Sequence, residues 1–158
     1  MSKKVLVAMS GGVDSSVSLL RIIESGYDPI GVTMKLWDNQ SINNTSNQDN
    51  SCCGIEEITG AKLVCNQFGV PHYTIDFTNV FKEQVVNNFS TEYFAGRTPN
   101  PCIRCNSYVK WDAFIEQADK MDIKYIATGH YAMIENKNNN YYLKKGIDPK
   151  KDQSYVLW

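Results

Sequence analysis

Apolar residues along this chain come in short runs separated by stretches of helical spacing, the alternation expected of a βαβ protein. Residues 4–9 (Lys-Val-Leu-Val-Ala-Met) lack polar alternation, which suits a strand covered on both faces of a parallel sheet. Val13, Val17, Leu20 and Ile23 then recur at near-helical spacing and stop at Ser25-Gly26, predicting a helix with those side chains inward and a glycine just past its end. Residues 29–37 predict a second strand, and Ile55, Ile58, Ala61, Cys65 and Phe68 mark one face of a helix ending at Gly69. Residues 71–77 predict a third strand, followed by a helix capped by Thr78 or Asn79 that carries Phe81, Val85 and Phe89 inward. Trp111, Phe114, Ile115 and Ala118 predict a further helix, and residues 123–128 a fourth buried strand. Residues 131–134 and 141–144 flank the polar run 135–140 and read as a hairpin, whereas residues 38–51, polar and rich in asparagine, read as a long loop. The pattern as a whole is α/β, a three-layer parallel sheet of at least four strands with helices on both faces.

The first strand runs into Ser10-Gly11-Gly12-Val13-Asp14-Ser15-Ser16. Two glycines permit a tight turn and the close approach of a ligand, and a helix opening directly behind them presents unsatisfied N–H groups and the positive end of its dipole. Phosphate is held there without a basic side chain, with the Ser10, Ser15 and Ser16 hydroxyls as further donors. The lysine-bearing phosphate loop and the G-x-G-x-x-G turn both fail on spacing; what stands here is S-G-G-x-D-S. Asp14 is also a candidate helix cap and a candidate partner of a phosphate-bound cation.

Four features of the whole chain narrow the picture. The 158 residues suffice for one ordinary domain, and a net charge of −1 makes no bulk electrostatic case for nucleic acid, so any RNA must be gripped by local patches. No apolar run reaches the ~20 residues of a membrane span and no signal-peptide core precedes the first strand, which predicts a cytoplasmic protein without membrane contact. Five cysteines in such a chain are expected to be thiols rather than a disulfide framework. On its apolar face Cys65 reads as a small buried hydrophobe, and His72 as a strand-edge residue outside any site.

Cys102-Ile-Arg-Cys105 is the remaining chemistry, placed just before a helix and beside Arg97 and Arg104, which are positioned by sequence to lower a thiol pKa. Three uses fit the C-x-x-C spacing: a sulfur-carrying nucleophile, a zinc or iron–sulfur site completed by Cys52 and Cys53, and a redox pair.

The S-G-G-V-D-S turn resembles that of the pyrophosphatase-loop ATP enzymes, which implies an adenine-nucleotide hydrolase-like domain and adenylation rather than γ-phosphoryl transfer. Taken with Gly96-Arg-Thr-Pro-Asn-Pro101, Cys105-Asn106, Ala127-Thr-Gly-His-Tyr131 and Lys151-Asp-Gln-Ser-Tyr155, in that order along nearly the entire chain, the motifs resemble the tRNA-specific 2-thiouridylases. The resemblance implies ATP-dependent replacement of the C2 oxygen of the wobble uridine in lysine, glutamate and glutamine tRNAs by sulfur from a cysteine persulfide. It also implies ATP and Mg²⁺ as the small molecules used, with a persulfide-carrying sulfur-donor protein as partner beside tRNA. Carried over residue by residue, it assigns ATP to Ala8, Met9, Ser10, Gly11, Gly12, Val13, Asp14, Ser15, Met34 and Gly129. Asn100, His130, Lys151, Asp152 and Gln153 are assigned to tRNA, Cys105 and Cys102 to catalysis, and no residue to a resident metal. Met34 fits a plain core position equally well. Cys102 departs from the family, many members of which carry an aspartate there, and this change creates the second thiol. The implied organisation is a catalytic domain over residues 1–145, with 146–158 beginning a linker to further domains that carry the persulfide cysteine. Three rival readings of the chain remain: an iron–sulfur-dependent tRNA thiolase, an amidating synthetase of the same ATP family, and a nucleotide-sensing domain that consumes nothing.

Overall fold

A computed structural model of the chain describes residues 3–37 and 55–157. Strands β1 (Lys4–Ala8), β2 (Asp28–Lys35), β3 (His72–Asp76) and β4 (Tyr125–Ala127) form one fully parallel sheet in the order β3-β2-β1-β4. β1 is central: Leu6 lies opposite Ile30 on one side and Ile126 on the other. Its side chains alternate between two cores, as the pleat requires. Val5 and Val7 join Leu19, Ala61 and Cys65 on one face, while Leu6 joins Val32, Met34, Val109 and Phe114 on the opposite face.

The first face is covered by α1 (Val13–Glu24) and α2 (Ile55–Gln67). The second is covered by two composite helices. One runs from α3 (Thr78–Phe81) through a π-helical stretch, Lys82–Val86, into α4 (Asn87–Phe94). The other runs from α5 (Pro101–Arg104) through a nine-residue π-helical stretch, Cys105–Ala113, into α6 (Phe114–Lys120). The three-layer α/β class read from the sequence is therefore the class observed.

Several inward faces differ from the expected ones. In α1 the buried residues are Ser15 and Leu19, whereas Val13 and Val17 are 76% and 48% exposed. Ser15 takes an inward position because its hydroxyl finds partners in the turn that precedes the helix, so a polar residue fills a place that hydrophobic spacing assigns elsewhere. Val85 is buried but Phe89 is exposed, because the π turn between them carries an extra residue and rotates the following face off the sheet. Phe68 is exposed past the last residue of α2, and Ile115 is exposed beside the fully buried Phe114.

The hairpin pairs β5 (Ala132–Lys137) with β6 (Asn140–Lys145) and is longer than its polar sequence suggests. Its turn shrinks to Asn138-Asn139, both at positive φ (52° and 62°), a conformation asparagine tolerates and a two-residue hairpin turn favours. After it the chain folds back: Gln153 N–H donates to the Tyr131 carbonyl at 2.8 Å, and Ser154–Val156 forms a 3₁₀ turn. No helix among the described residues is long and apolar enough to cross a membrane.

Candidate active site

The turn after β1 is built by backbone packing and by its own serines. Met9 is buried, and its N–H donates to the Val32 carbonyl, tying the strand end to β2. Gly11 has φ +76°, and a β-carbon there would collide with the Glu57 carbonyl of α2. No other residue fits that position without displacing α2. Gly12 is the N-cap of α1 and, having no side chain, leaves the first-turn N–H groups without a side-chain cap. Asp14, in that first turn, does not cap the helix.

The serines brace the turn from within. Ser15, only 4% exposed, donates its hydroxyl to the Gly12 carbonyl at 3.0 Å and accepts from the Ser10 N–H and the Ser10 hydroxyl, both at 3.2 Å. Ser16 donates to the same carbonyl at 2.9 Å. The Ser15 and Ser16 hydroxyl protons are thus spent on the turn's own carbonyl, and no side chain caps the first-turn N–H groups of α1.

The loop after β4 closes on this turn. β4 lies beside β1, so Thr128 and Gly129 emerge next to Ser10 at the carboxyl ends of the strands, where the strand order reverses and open α/β sheets hold their ligands. A β-carbon on Gly129 would stand 2.8 Å from the Asp14 carbonyl oxygen and 2.8 Å from Ser18 Oγ. Two residues on, the Tyr131 hydroxyl donates to Asp14 Oδ1 at 3.1 Å. Between them His130 Nδ1 lies 2.9 Å from the Thr128 hydroxyl, and its ring tilts against Trp111 at 6.4 Å between centroids. Burial, and secondarily the Lys110 charge, hold its pKa below the ordinary 6.5, so the imidazole is neutral at pH 7.

Cys102 and Cys105 sit inside a helix and not before it. Two prolines in three residues argue against a helix running through the segment, yet Pro101 occupies the first helical position, where its missing N–H costs nothing. Asn100 caps the helix, its Oδ1 accepting from Cys102 N–H at 3.1 Å and Ile103 N–H at 3.3 Å. Cys102 is exposed and Cys105 partly buried. Neither arginine is poised as the sequence suggests: Arg97 pairs with Glu92, and Arg104 donates to the Gln84 carbonyl at 2.7 Å while covering the Tyr108 ring. Asn106 is 5% exposed, and its Oδ1 is buried without a hydrogen-bond partner among the described residues.

The remaining candidates are distributed as follows. Met34 is 8% exposed and packs in the core beside Val32 and Leu36. Cys65 is fully buried, with its thiol pKa pushed up by desolvation. His72 bonds the Thr33 hydroxyl at 2.8 Å across the sheet. Asp152 accepts from Gly146 N–H at 2.7 Å and from the Ser154 hydroxyl at 2.8 Å, which holds its carboxyl below the usual range. Gln153 clamps the Tyr131 main chain through Oε1 and N–H, and Lys151 Nζ lies 5.4 Å over the Tyr131 ring. Cys52 and Cys53 lie outside the described residues. Among the described residues no group of three His, Cys, Asp or Glu side chains gathers as a metal site. Tyr131 stands in the Ala127-Thr-Gly-His-Tyr131 motif without an assigned role, and no local signal in the sequence marks its contact with Asp14, 117 positions away.

Fold and site together define an α/β domain with an anion-suited turn at the end of its central strand and two helical thiols. Residues 3–158 match the model of the tRNA methyl transferase HUP domain family, and the chain belongs to that family. It is 49% identical over its whole length to the tRNA-specific 2-thiouridylase MnmA of Cytophaga hutchinsonii, covering 43% of that protein. To the protein of the same name from Salinibacter ruber it is 48% identical, covering 42%, and to that from Clostridium acetobutylicum 46% identical, covering 44%. The chain thus spans less than half the length of these relatives. Among solved structures it resembles a predicted subunit of tRNA methyltransferase from Methanocaldococcus jannaschii, with a TM-score of 0.54 at 17% identity over 94% of this chain and 60% of the other, a likeness of fold alone.

Proposed function

We propose that this chain is the ATP-using domain of a tRNA 2-thiouridylase, acting on the wobble uridine of lysine, glutamate and glutamine tRNAs. The observation that carries the reading is the turn after β1, where α1 opens on main-chain N–H groups that no side chain caps. Those donors and the helix dipole suit the phosphates of a nucleotide. Ser10 to Ser15 hold the phosphate chain, and Gly129, which lies against the first turn of α1, meets the adenosine side. Asp14 would hold the Mg²⁺ that accompanies the phosphates, where it would offset their charge.

ATP, as substrate, supplies an α-phosphorus that the uridine C2 oxygen attacks, with pyrophosphate leaving. Carbonyl oxygen leaves poorly, whereas the adenylated oxygen departs as AMP when sulfur adds to C2. A cysteine persulfide adds its outer sulfur to C2, and the Cys105 thiolate attacks the inner sulfur, so that the S–S bond breaks, 2-thiouridine leaves and the two cysteines are left as a disulfide that an external thiol reduces. The helix bearing Cys105 leads into β4, so in a parallel sheet it begins at the edge where Ser10 and Gly129 emerge. His130, being neutral, meets tRNA as a hydrogen-bonding and stacking surface and not as a cation.

The test is nucleoside mass spectrometry on unmodified tRNA after incubation with Mg-ATP and a sulfide source, with AMP followed in parallel. The expected result is 2-thiouridine with AMP released one for one. Neither product, in a chain extended to the length of its relatives, would overturn the reading.

A further inference from the structure

The contacts around Tyr131 join two regions far apart in sequence. On one side its hydroxyl donates to Asp14 Oδ1 at 3.1 Å, in the first turn of α1. On the other, its main chain is held twice by one residue: Tyr131 N–H donates to Gln153 Oε1 at 2.9 Å, and Gln153 N–H donates to the Tyr131 carbonyl at 2.8 Å. Lys151 covers the ring, and a β-carbon on Gly146 would come within 2.8 Å of the Tyr131 carbonyl oxygen. Asp152 then closes the same loop on Gly146 N–H and Ser154. The loop 146–153 is shaped around Tyr131, and Tyr131 is shaped around the phosphate turn.

We infer that Tyr131 is a positioning residue that couples occupancy of the phosphate turn to the conformation of the 146–153 loop. The inference deepens the function proposed above, and its ligand arm rests on that reading. The physical basis is a competition for one carboxylate. Asp14 Oδ1 accepts the Tyr131 hydroxyl; a cation–phosphate group drawn to the same carboxylate changes what that hydroxyl meets. Lys151 lies over the ring itself, and Gln153 ties the main chain of the same residue to the loop, so a shift of the ring reaches the loop through the surface that Lys151 covers. Coupling of this kind is reciprocal: an RNA that grips Lys151 tightens or loosens nucleotide at the turn by the same factor that nucleotide changes its own affinity.

Two measurements test it. The first uses no ligand: amide hydrogen exchange of residues 146–156 in the wild type, Tyr131→Phe and Asp14→Ala. Faster exchange in that segment in both variants is expected, since each removes one end of the same hydrogen bond. The second is ATP affinity with and without unmodified tRNA. The wild type should show a ratio on the order of fivefold or more, and Tyr131→Phe, which keeps the ring, should bring the ratio towards one. Unchanged exchange in Tyr131→Phe, or an undiminished ratio, would overturn the coupling. If exchange responds in both variants while the wild type binds no ATP, the link between turn and loop stands and it is the functional reading that fails.

Discussion

Gly129 and Asp14 touch through their backbones, so closely that a single added carbon on the glycine would reach 2.8 Å from the aspartate carbonyl oxygen. Gly129→Ala must therefore push β4's loop off the first turn of α1. The expected result is a stability loss of about 1–3 kcal/mol, the usual cost of overpacking, and at least ~tenfold weaker ATP binding, because donors are lost from the geometry a phosphate requires. Calorimetric titration with ATP and a thermal melt on the same sample check both.

Asn100→Ala should remove the two-bond cap over the cysteine helix and cost about 0.5–2 kcal/mol. Asn100→Ser keeps a capping oxygen. If tRNA affinity survives in the serine variant and stability recovers, Asn100 acts as a cap alone; if affinity falls although stability is kept, its amide also meets RNA. Denaturant unfolding paired with a filter-binding titration separates the two.

Both histidines titrate below their ordinary 6.5, His130 through burial and Lys110, His72 through burial and Lys62. The unfolded chain then binds more protons than the folded one as pH falls through 6.5, so stability held above about pH 7 declines until both folded imidazoles are charged. Melting temperature should drop between pH 7.5 and 5.5, by the relation of stability slope to proton uptake. His130→Gln and His72→Gln together should flatten that slope. A second decline follows at lower pH, where Asp76, held down by its Thr78 hydrogen bonds, and Asp152 take up protons.

Under the proposed function, in which the Cys105 thiol serves transfer and not the phosphate turn, Cys105→Ser should abolish sulfur insertion and leave ATP affinity within about twofold. Thiolated tRNA from that variant would move the nucleophile elsewhere. Cys102→Ser shows whether the exposed thiol shares the work, read as the ratio of 2-thiouridine to AMP.

The order of strands and helices was legible because apolar runs and glycine stops are local signals: residues 4–9, the turn at Ser10 and the helix end before Gly26 all stand as written in the chain. What was hidden depends on partners distant in sequence or on winding. Ser15 replaced Val17 on the inward face because its hydroxyl bonds Gly12 and Ser10, a compensation that hydrophobic spacing does not record. Phe89 turned outward through a π stretch, for which propensity carries no signal. Asn100-Pro101 is a helix-start signature, but its neighbour Pro99 made the segment read as rigid loop. Tyr131 reaches Asp14 across 117 positions, a separation that a local pattern does not bridge.

Central placement of β1 has a consequence for how the domain comes into being. The turn at Ser10 is made within the first few residues of the chain, yet the wall that faces it belongs to β4 and the loop beyond, and β4 pairs with β1 only after two intervening strands and their helices have been laid down. During synthesis the glycine-rich motif therefore waits, present in sequence and open on one side, until Tyr125–Ala127 has left the ribosome and docked. Under the proposed function, nucleotide capture is thereby tied to the completion of the sheet, and a chain interrupted before that point carries the motif without the wall that faces it.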